Sequence, residues 1–142
     1  MRRVLLLLVV AAAVLALAAG LVLAETFSCT GPCVGTREAD MMTGSATLDR
    51  IAGMEGNDTI TGGAGDDQMY GDEGGDTIMD NSNAEDNDAV FADEGNDTIN
   101  VREGEGVAGA DTVFCGPGKK DKVFFDENMD FLHKGCEIRR GS

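Results

Sequence analysis

The side chains best suited to chemistry in this sequence are aspartates, and they are evenly spaced. Aspartate stands at 40, 49, 58, 67 and 76, nine residues apart each time, and then at 88, 97, 111, 121 and 130. A carboxylate offers hard oxygen donors to hard cations or, in pairs, proton transfer in catalysis. Catalysis has few other parts here. His133 is the single histidine, and neither HExxH nor GxSxG occurs, so the usual hydrolase constellations are missing. Paired acids could serve glycosidase chemistry, but ten aspartates in one register point to a metal role. The expectation is a binding protein and not an enzyme.

The elements that would position these carboxylates are visible between Gly53 and Met79. That stretch reads in nines as GMEGNDTIT, GGAGDDQMY and GDEGGDTIM. Each block opens on glycine, repeats glycine at position four, carries aspartate at position six and an apolar residue at position eight. Two residues after each of the ten aspartates stands an apolar side chain: Met42, Ile51, Ile60, Met69, Ile78, Val90, Ile99, Val113, Val123 and Leu132. An apolar content of 42% would supply about four of these by composition alone. The first six residues of a block read as a loop, because glycine permits positive φ and sharp turns. The last three, such as Thr59-Ile60-Thr61, read as a short strand that sends its central residue to one face. One apolar residue per nine builds a core only when strands stack, about 4.8 Å apart. The stretches Asn81 to Asn87 and Arg102 to Gly109 interrupt the period and read as loop insertions. The blocks around Asp40 (GTREAD), Asp49 (GSATLD) and Asp130 (DENMD) lose glycines, as terminal repeats do.

The middle block, with Gly62, Gly63 and Gly65, fits G-G-x-G-x-D-x-U-x in full. On these residues the chain resembles the hemolysin-type (RTX) calcium-binding nonapeptide repeat family. The resemblance implies an all-β fold: a parallel β-roll, a right-handed solenoid with two nonapeptides per eighteen-residue coil. The roll is expected over 36–132, between an N-terminal cap at 25–35 and a C-terminal closure at 133–142. Residues eighteen apart then lie above one another. Asp58 stacks on Asp76 and Asp49 on Asp67; allowing for the insertions, Asp76 stacks on Asp97 and Asp67 on Asp88. Carboxylates that close repel unless a cation lies between them. Calcium takes six to eight oxygens in flexible geometry, whereas magnesium demands a tight octahedron and soft metals want Cys or His. Several calcium ions are therefore expected. The expected ligands are Asp58, Asp67, Asp76 and Asp97, then Asp49 and Asp88, with carbonyls drawn from Gly53, Gly56, Gly62, Gly63, Gly65, Gly71, Gly74 and Gly95. Asn57, Asp66 and Asn96, at position five, are expected to hold the loops. Asp72, Glu73, Asp93 and Glu94 read as a solvated acidic face. Asp126, Asn128, Asp130 and Glu137 approach an EF-hand pattern, but Phe131 stands where that loop needs glycine.

Charge and targeting bound the rest. With 142 residues there is room for one domain and a targeting segment. A formal charge of −15 excludes nucleic acid as a natural partner. Arg2 and Arg3 followed by the apolar run Val4 to Leu23 read as a signal peptide over 1–24, cut before Glu25; a retained membrane anchor is the alternative. Cleavage removes Arg2 and Arg3, leaving nine basic against 26 acidic residues and a net charge of −17. The expected location is extracellular, free or tethered through residues 4–23. Toxin-like members of the resembled family typically leave by a C-terminal signal. An N-terminal one therefore argues against a hemolytic role. Four cysteines in an exported chain suggest two disulfides. Three connectivities exist, and proximity favours Cys29–Cys33 with Cys115–Cys136. Phe124, Phe125 and Phe131 are expected to cover the end of the core. Any polymer, mineral or protein partner is not specified by these residues.

Overall fold

A three-residue strand forms at each place where a block puts its apolar residue between two polar or small neighbours. The computed structural model describes residues 24–142 apart from 81, 83–84, 104–108, 119, 128–129, 134, 137 and 142. The signal or anchor segment expected at the N-terminus lies outside the described residues up to residue 23. Among those described there are thirteen strands: β1 (Thr26–Ser28), β2 (Pro32–Val34), β3 (Met41–Thr43), β4 (Arg50–Ala52), β5 (Thr59–Thr61), β6 (Gln68–Tyr70), β7 (Thr77–Met79), β8 (Ala89–Phe91), β9 (Thr98–Asn100), β10 (Thr112–Phe114), β11 (Lys122–Phe125), β12 (Phe131–Leu132) and β13 (Ile138–Gly141).

Odd and even strands go to different sheets. One sheet has the order β1-β3-β5-β7-β9-β11-β13 and the other β2-β4-β6-β8-β10-β12. Every pairing is parallel, and like positions meet: Ile60 lies opposite Ile78, Ile78 opposite Ile99, and Met69 opposite Val90. The all-β parallel solenoid expected from the repeat is thus the fold, with each coil crossing from one sheet to the other and back.

The core lies between the sheets and is one residue wide per strand. Met42, Ile51, Ile60, Met69, Ile78, Val90, Ile99, Val113 and Val123 are buried, and Leu132 packs against them from the end. Position-one residues extend the core where glycine is absent, through Ala92, Val101 and Cys115. Alternation leaves the flanking positions outside. One outer face is threonine-rich (Thr59, Thr61, Thr77, Thr98), and the other carries a stack of rings. Tyr70, Phe91, Phe114 and His133 follow one another at centroid spacings of 4.9, 4.8 and 3.8 Å, because parallel in-register pairing puts each ring over the next.

Both ends carry features the period alone did not resolve. Residues assigned to the N-terminal cap form β1 and β2, which add a coil pairing with β3 and β4. The Cys29–Cys33 and Cys115–Cys136 disulfides are both formed, at opposite ends of the stack. Of the three phenylalanines expected to cover the core, only Phe125 packs against it. Phe131 is 65% exposed. It begins β12 and faces outward, while its neighbour Leu132 takes the inward position. Phe124 likewise takes an outward position in β11, beside the buried Val123.

Candidate metal centre

Each register aspartate is the residue just before a strand, so the fold arranges the ten in two columns along the two edges of the roll. Asp40, Asp58, Asp76, Asp97 and Asp121 precede β3, β5, β7, β9 and β11. Asp49, Asp67, Asp88, Asp111 and Asp130 precede β4, β6, β8, β10 and β12. All but Asp130, which is half-exposed, are buried.

Within a column one carboxylate oxygen has a fixed task. The backbone N–H of each aspartate donates to Oδ1 of the aspartate in the next coil. Asp40, Asp58, Asp76 and Asp97 donate to Asp58, Asp76, Asp97 and Asp121 at 2.7, 2.8, 2.8 and 2.9 Å. On the other edge Asp49, Asp67, Asp88 and Asp111 donate to Asp67, Asp88, Asp111 and Asp130 at 2.7, 2.8, 2.8 and 3.2 Å. The stacking expected for Asp58 on Asp76, Asp76 on Asp97, Asp49 on Asp67 and Asp67 on Asp88 is what these bonds connect.

The second oxygen is where the columns differ along their length. Oδ2 of Asp58, Asp67, Asp76, Asp88, Asp97 and Asp111 is buried without a hydrogen-bond partner. A buried carboxylate oxygen left this way is costly unless a cation answers it. At the ends it is answered from within the chain. Asp40 Oδ2 accepts the Thr36 N–H at 2.6 Å and the Thr36 hydroxyl at 2.9 Å. Asp49 Oδ2 accepts the Ser45 N–H at 2.6 Å, and its Oδ1 accepts the N–H of Gly31. Asp130 Oδ2 accepts the Asp126 N–H at 2.6 Å. Asp49, expected among the ligands, therefore has both oxygens engaged in hydrogen bonds.

The glycines at position one shape the space around Oδ2. A Cβ on Gly53 would land on Oδ2 of Asp58 and lie 2.9 Å from the Gly71 carbonyl oxygen. A Cβ on Gly71 would land on Oδ2 of Asp76 and lie 2.7 Å from the Ala92 carbonyl oxygen. On Gly62 it would come within 2.9 Å of Asp67 Oδ2. Glycine here leaves an oxygen-lined cradle that any side chain would fill. Its walls, a carboxylate oxygen and a carbonyl from the next coil, are the donors calcium takes. Of the expected carbonyl donors, Gly53, Gly62 and Gly71 face the position-one residue of the preceding coil. Gly56 and Gly74 face the position-four glycine of the next coil, where Gly74 and Gly95 adopt φ of +147° and +157°. A Cβ there would meet that carbonyl oxygen, so position four requires glycine for the coils to approach. Gly63 and Gly65 lie against the backbone of Ser45 and of Thr47–Leu48.

Position five holds the loops as expected for two residues. The N–H of Gly75 donates to Asn57 at 2.7 Å and that of Asn87 to Asp66 at 3.0 Å. Glu73 and Glu94 are exposed, and Asp72 and Asp93 half-exposed, on the outer rim. Of the near EF-hand, Asn128 and Glu137 lie outside the described residues. Asp126 and Asp130 serve the hydrogen bonds of the last loop.

Electrostatics follow the same division. Burial pushes Asp67 and Asp97 up to about 6, Asp76 to about 7, and Asp88 and Asp111 to about 8. The ladder N–H opposes this, and neighbouring carboxylates reinforce it. Asp58 is raised for the same reasons. Asp40 and Asp49 are also pushed up by burial, but hydrogen bonds from Thr36 and Glu25, and from Gly31 and Ser45, outweigh it and hold both below the usual range. Every register aspartate described with an unanswered oxygen resists ionisation, and Asp130, with both oxygens answered, is raised by its burial as well.

The RTX calcium-binding nonapeptide repeat matches this sequence in four copies, over residues 35–78 and 84–105. The chain is an RTX-type repeat protein. No curated protein and no solved structure matches it. The match over 35–78 covers the blocks in which position one is glycine, and that over 84–105 covers β8 and β9, which are followed by Ala92 and Val101. Asp111, which sequence reasoning did not rank among the ligands of this RTX roll, has the same orphaned Oδ2 as Asp58. The fourteen residues separating it from Asp97 hide it from a nine-residue period. A second acidic group, Asp80, Asp86 and Glu103, lies off the register altogether. Its one sequence signal is Asp80 standing at position one, where the preceding five blocks have glycine.

Proposed function

We propose that this RTX chain is a secreted calcium-binding protein whose repeat loops hold several calcium ions and whose folding is driven by them. The observation that carries the reading is the double column of buried aspartates with Oδ2 unpartnered, where Asp58, Asp67 and Asp76 face position-one glycines and the cradles at Gly53 and Gly71 are also lined by a carbonyl oxygen. Asp58, Asp67 and Asp76 would hold calcium with the carbonyls of the adjoining coil. Calcium would supply the positive charge that lets these side chains ionise inside the roll. The chain's own part is to fix the oxygens: the ladder N–H groups orient each carboxylate through Oδ1 and leave Oδ2 for the ion.

A thin core and a charge of −15 leave the metal-free chain little to fold with. An ion that binds only the folded state adds about 1.4 kcal/mol per site at ten times its Kd. Far-UV circular dichroism during a calcium titration, disulfides intact, is expected to move from a disordered to a β spectrum. A full β spectrum in excess chelator would overturn the coupling. Secretion is read from Arg2, Arg3 and the run Val4 to Leu23. An N-terminus of the native protein at Glu25 would support release, and one at Met1 or Arg2 a membrane-tethered form. The role is binding and not catalysis, because the aspartates are committed to the register that builds the fold.

A further inference from the structure

We infer that the two long loops of the roll build a cation site unlike the glycine cradles of the repeat, in which Asp80, Asp86 and Glu103 bind a calcium-sized divalent ion. Asp80 directly follows β7, Asp86 lies just before β8, and Glu103 follows β9, so the site spans two successive coils on one edge. One carboxylate oxygen from each lies within 4.8 Å of the other two. Oxygens bound to one calcium at about 2.3–2.6 Å are separated by no more than about 5 Å. The three therefore already lie at the spacing of a shared coordination sphere.

Three further observations point to an ion rather than to an acidic surface patch. First, the cluster is internal: Asp80 and Asp86 are each 3% exposed. Second, Oε1 of Glu103 is buried without a hydrogen-bond partner, while Oε2 accepts the Gly109 N–H at 2.8 Å. Third, Asp88, only 2% exposed, has an unpartnered Oδ2 aimed at the same place. The direction follows from the regular blocks. At Gly35, Gly44, Gly53, Gly62 and Gly71 a position-one Cβ would meet Oδ2 of the aspartate that closes its own loop. Asp80 is that position in the loop closed by Asp88, so its carboxylate departs from the point that Asp88 Oδ2 faces. Of the charges acting on Asp88, that of Asp80 acts most strongly.

The surrounding bonds orient the ligands without replacing an ion. Ser82 donates its N–H to Asp80 at 3.0 Å, and its hydroxyl lies 3.3 Å from Asp80 and 3.1 Å from Asp86. One hydroxyl proton serves only one of them at a time. Gly65 of the preceding coil donates its N–H to Asp86 at 2.9 Å. The insertions are thus more than slack in the repeat. They replace a glycine cradle with three carboxylates, and a higher ligand charge favours tighter calcium binding.

The test compares the full chain with Glu103→Gln and with Asp86→Asn/Glu103→Gln, counting ions by native mass spectrometry and measuring affinity by calorimetry with calcium chloride. The expected result is one ion fewer, with the tightest binding step lost or weakened at least tenfold and the remaining steps retained. Asp58→Asn is expected to do the opposite, weakening a repeat site and sparing the tightest step. Wild-type ion count and affinity in Glu103→Gln would overturn the inference while leaving the repeat sites standing. A wild-type chain that binds no calcium would overturn both readings. Glu103 is half-exposed on the rim of the loop, so the single variant gives a folded comparison if the double variant does not fold.

Discussion

Each aspartate of the central coils divides its two oxygens between structure and metal. Oδ1 takes a backbone N–H and Oδ2 takes none, so asparagine preserves the first contact while removing the charge that the second would need. For Asp76→Asn the metal-free and calcium-loaded forms are expected to respond in opposite directions. In chelator the variant should retain at least as much β signal as wild type, because a buried carboxylate with nothing opposite it is lost. In calcium its affinity should fall about tenfold or more, since a charged ligand is replaced by a neutral one. Circular dichroism in chelator and calorimetry in calcium check the two halves. Calcium affinity equal to wild type would remove Asp76 from the ligand set. Gly74 is constrained differently. Its φ of +147° and the Gly56 carbonyl over its Cα leave no space for a methyl group. Gly74→Ala is expected to abolish the calcium-induced β spectrum at calcium concentrations that fold wild type.

A three-residue strand buries one side chain, so no strand here is stable by itself. Ile78 illustrates the cost. It is fully buried between Ile60 and Ile99 in adjacent strands. Ile78→Ala is expected to destabilise the calcium form by about 2–5 kcal/mol, the usual range for such a truncation; urea unfolding in calcium measures it. The last coils replace cradle glycines with Val101, Cys115 and Phe125, adding apolar contact where the repeat weakens. The Cys115–Cys136 bridge, at a sequence separation of 21, restrains the same region. Its removal as Cys115→Ser/Cys136→Ser is expected to cost about 3 kcal/mol by loop-closure entropy, read from the same urea titration.

Across the whole molecule the raised carboxylates set a pH dependence whose sign calcium reverses. In the metal-free roll a carboxyl group with a folded pKa above its unfolded value, about 4, binds its proton more tightly when folded. Stability is then greatest below about pH 4 as far as these groups are concerned. It falls as pH rises through 6 (Asp67, Asp97), 7 (Asp76) and 8 (Asp88, Asp111). Calcium binds the ionised form and competes with the proton, so the loaded roll should gain stability over the same window. Residual β signal in chelator is expected to be greater at pH 5 than at pH 8, and urea melts in saturating calcium are expected to show greater stability at pH 8 than at pH 5. The same direction in both would mean that calcium is not bound by these carboxylates.

What the sequence determined by itself is what the period carries. An interval of nine, strict from Asp40 to Asp76 and interrupted beyond it, places each apolar residue between two outward ones and each aspartate just before a strand. That is enough to specify the parallel coil, the buried row from Met42 to Val123 and the stacking of Asp58 on Asp76. Tertiary structure decided everything that depends on which atom meets which across coils. Asp49 and Asp58 have the same sequence position, yet Asp49 spends both oxygens on Gly31 and Ser45, because terminal coils turn their own loops onto the carboxylate. The exposure of Phe131 followed from one step of strand alternation at the end of the core. The meeting of Asp80, Asp86 and Glu103 could not be read from spacing, since residues of two irregular loops come together only when the coils that carry them stack.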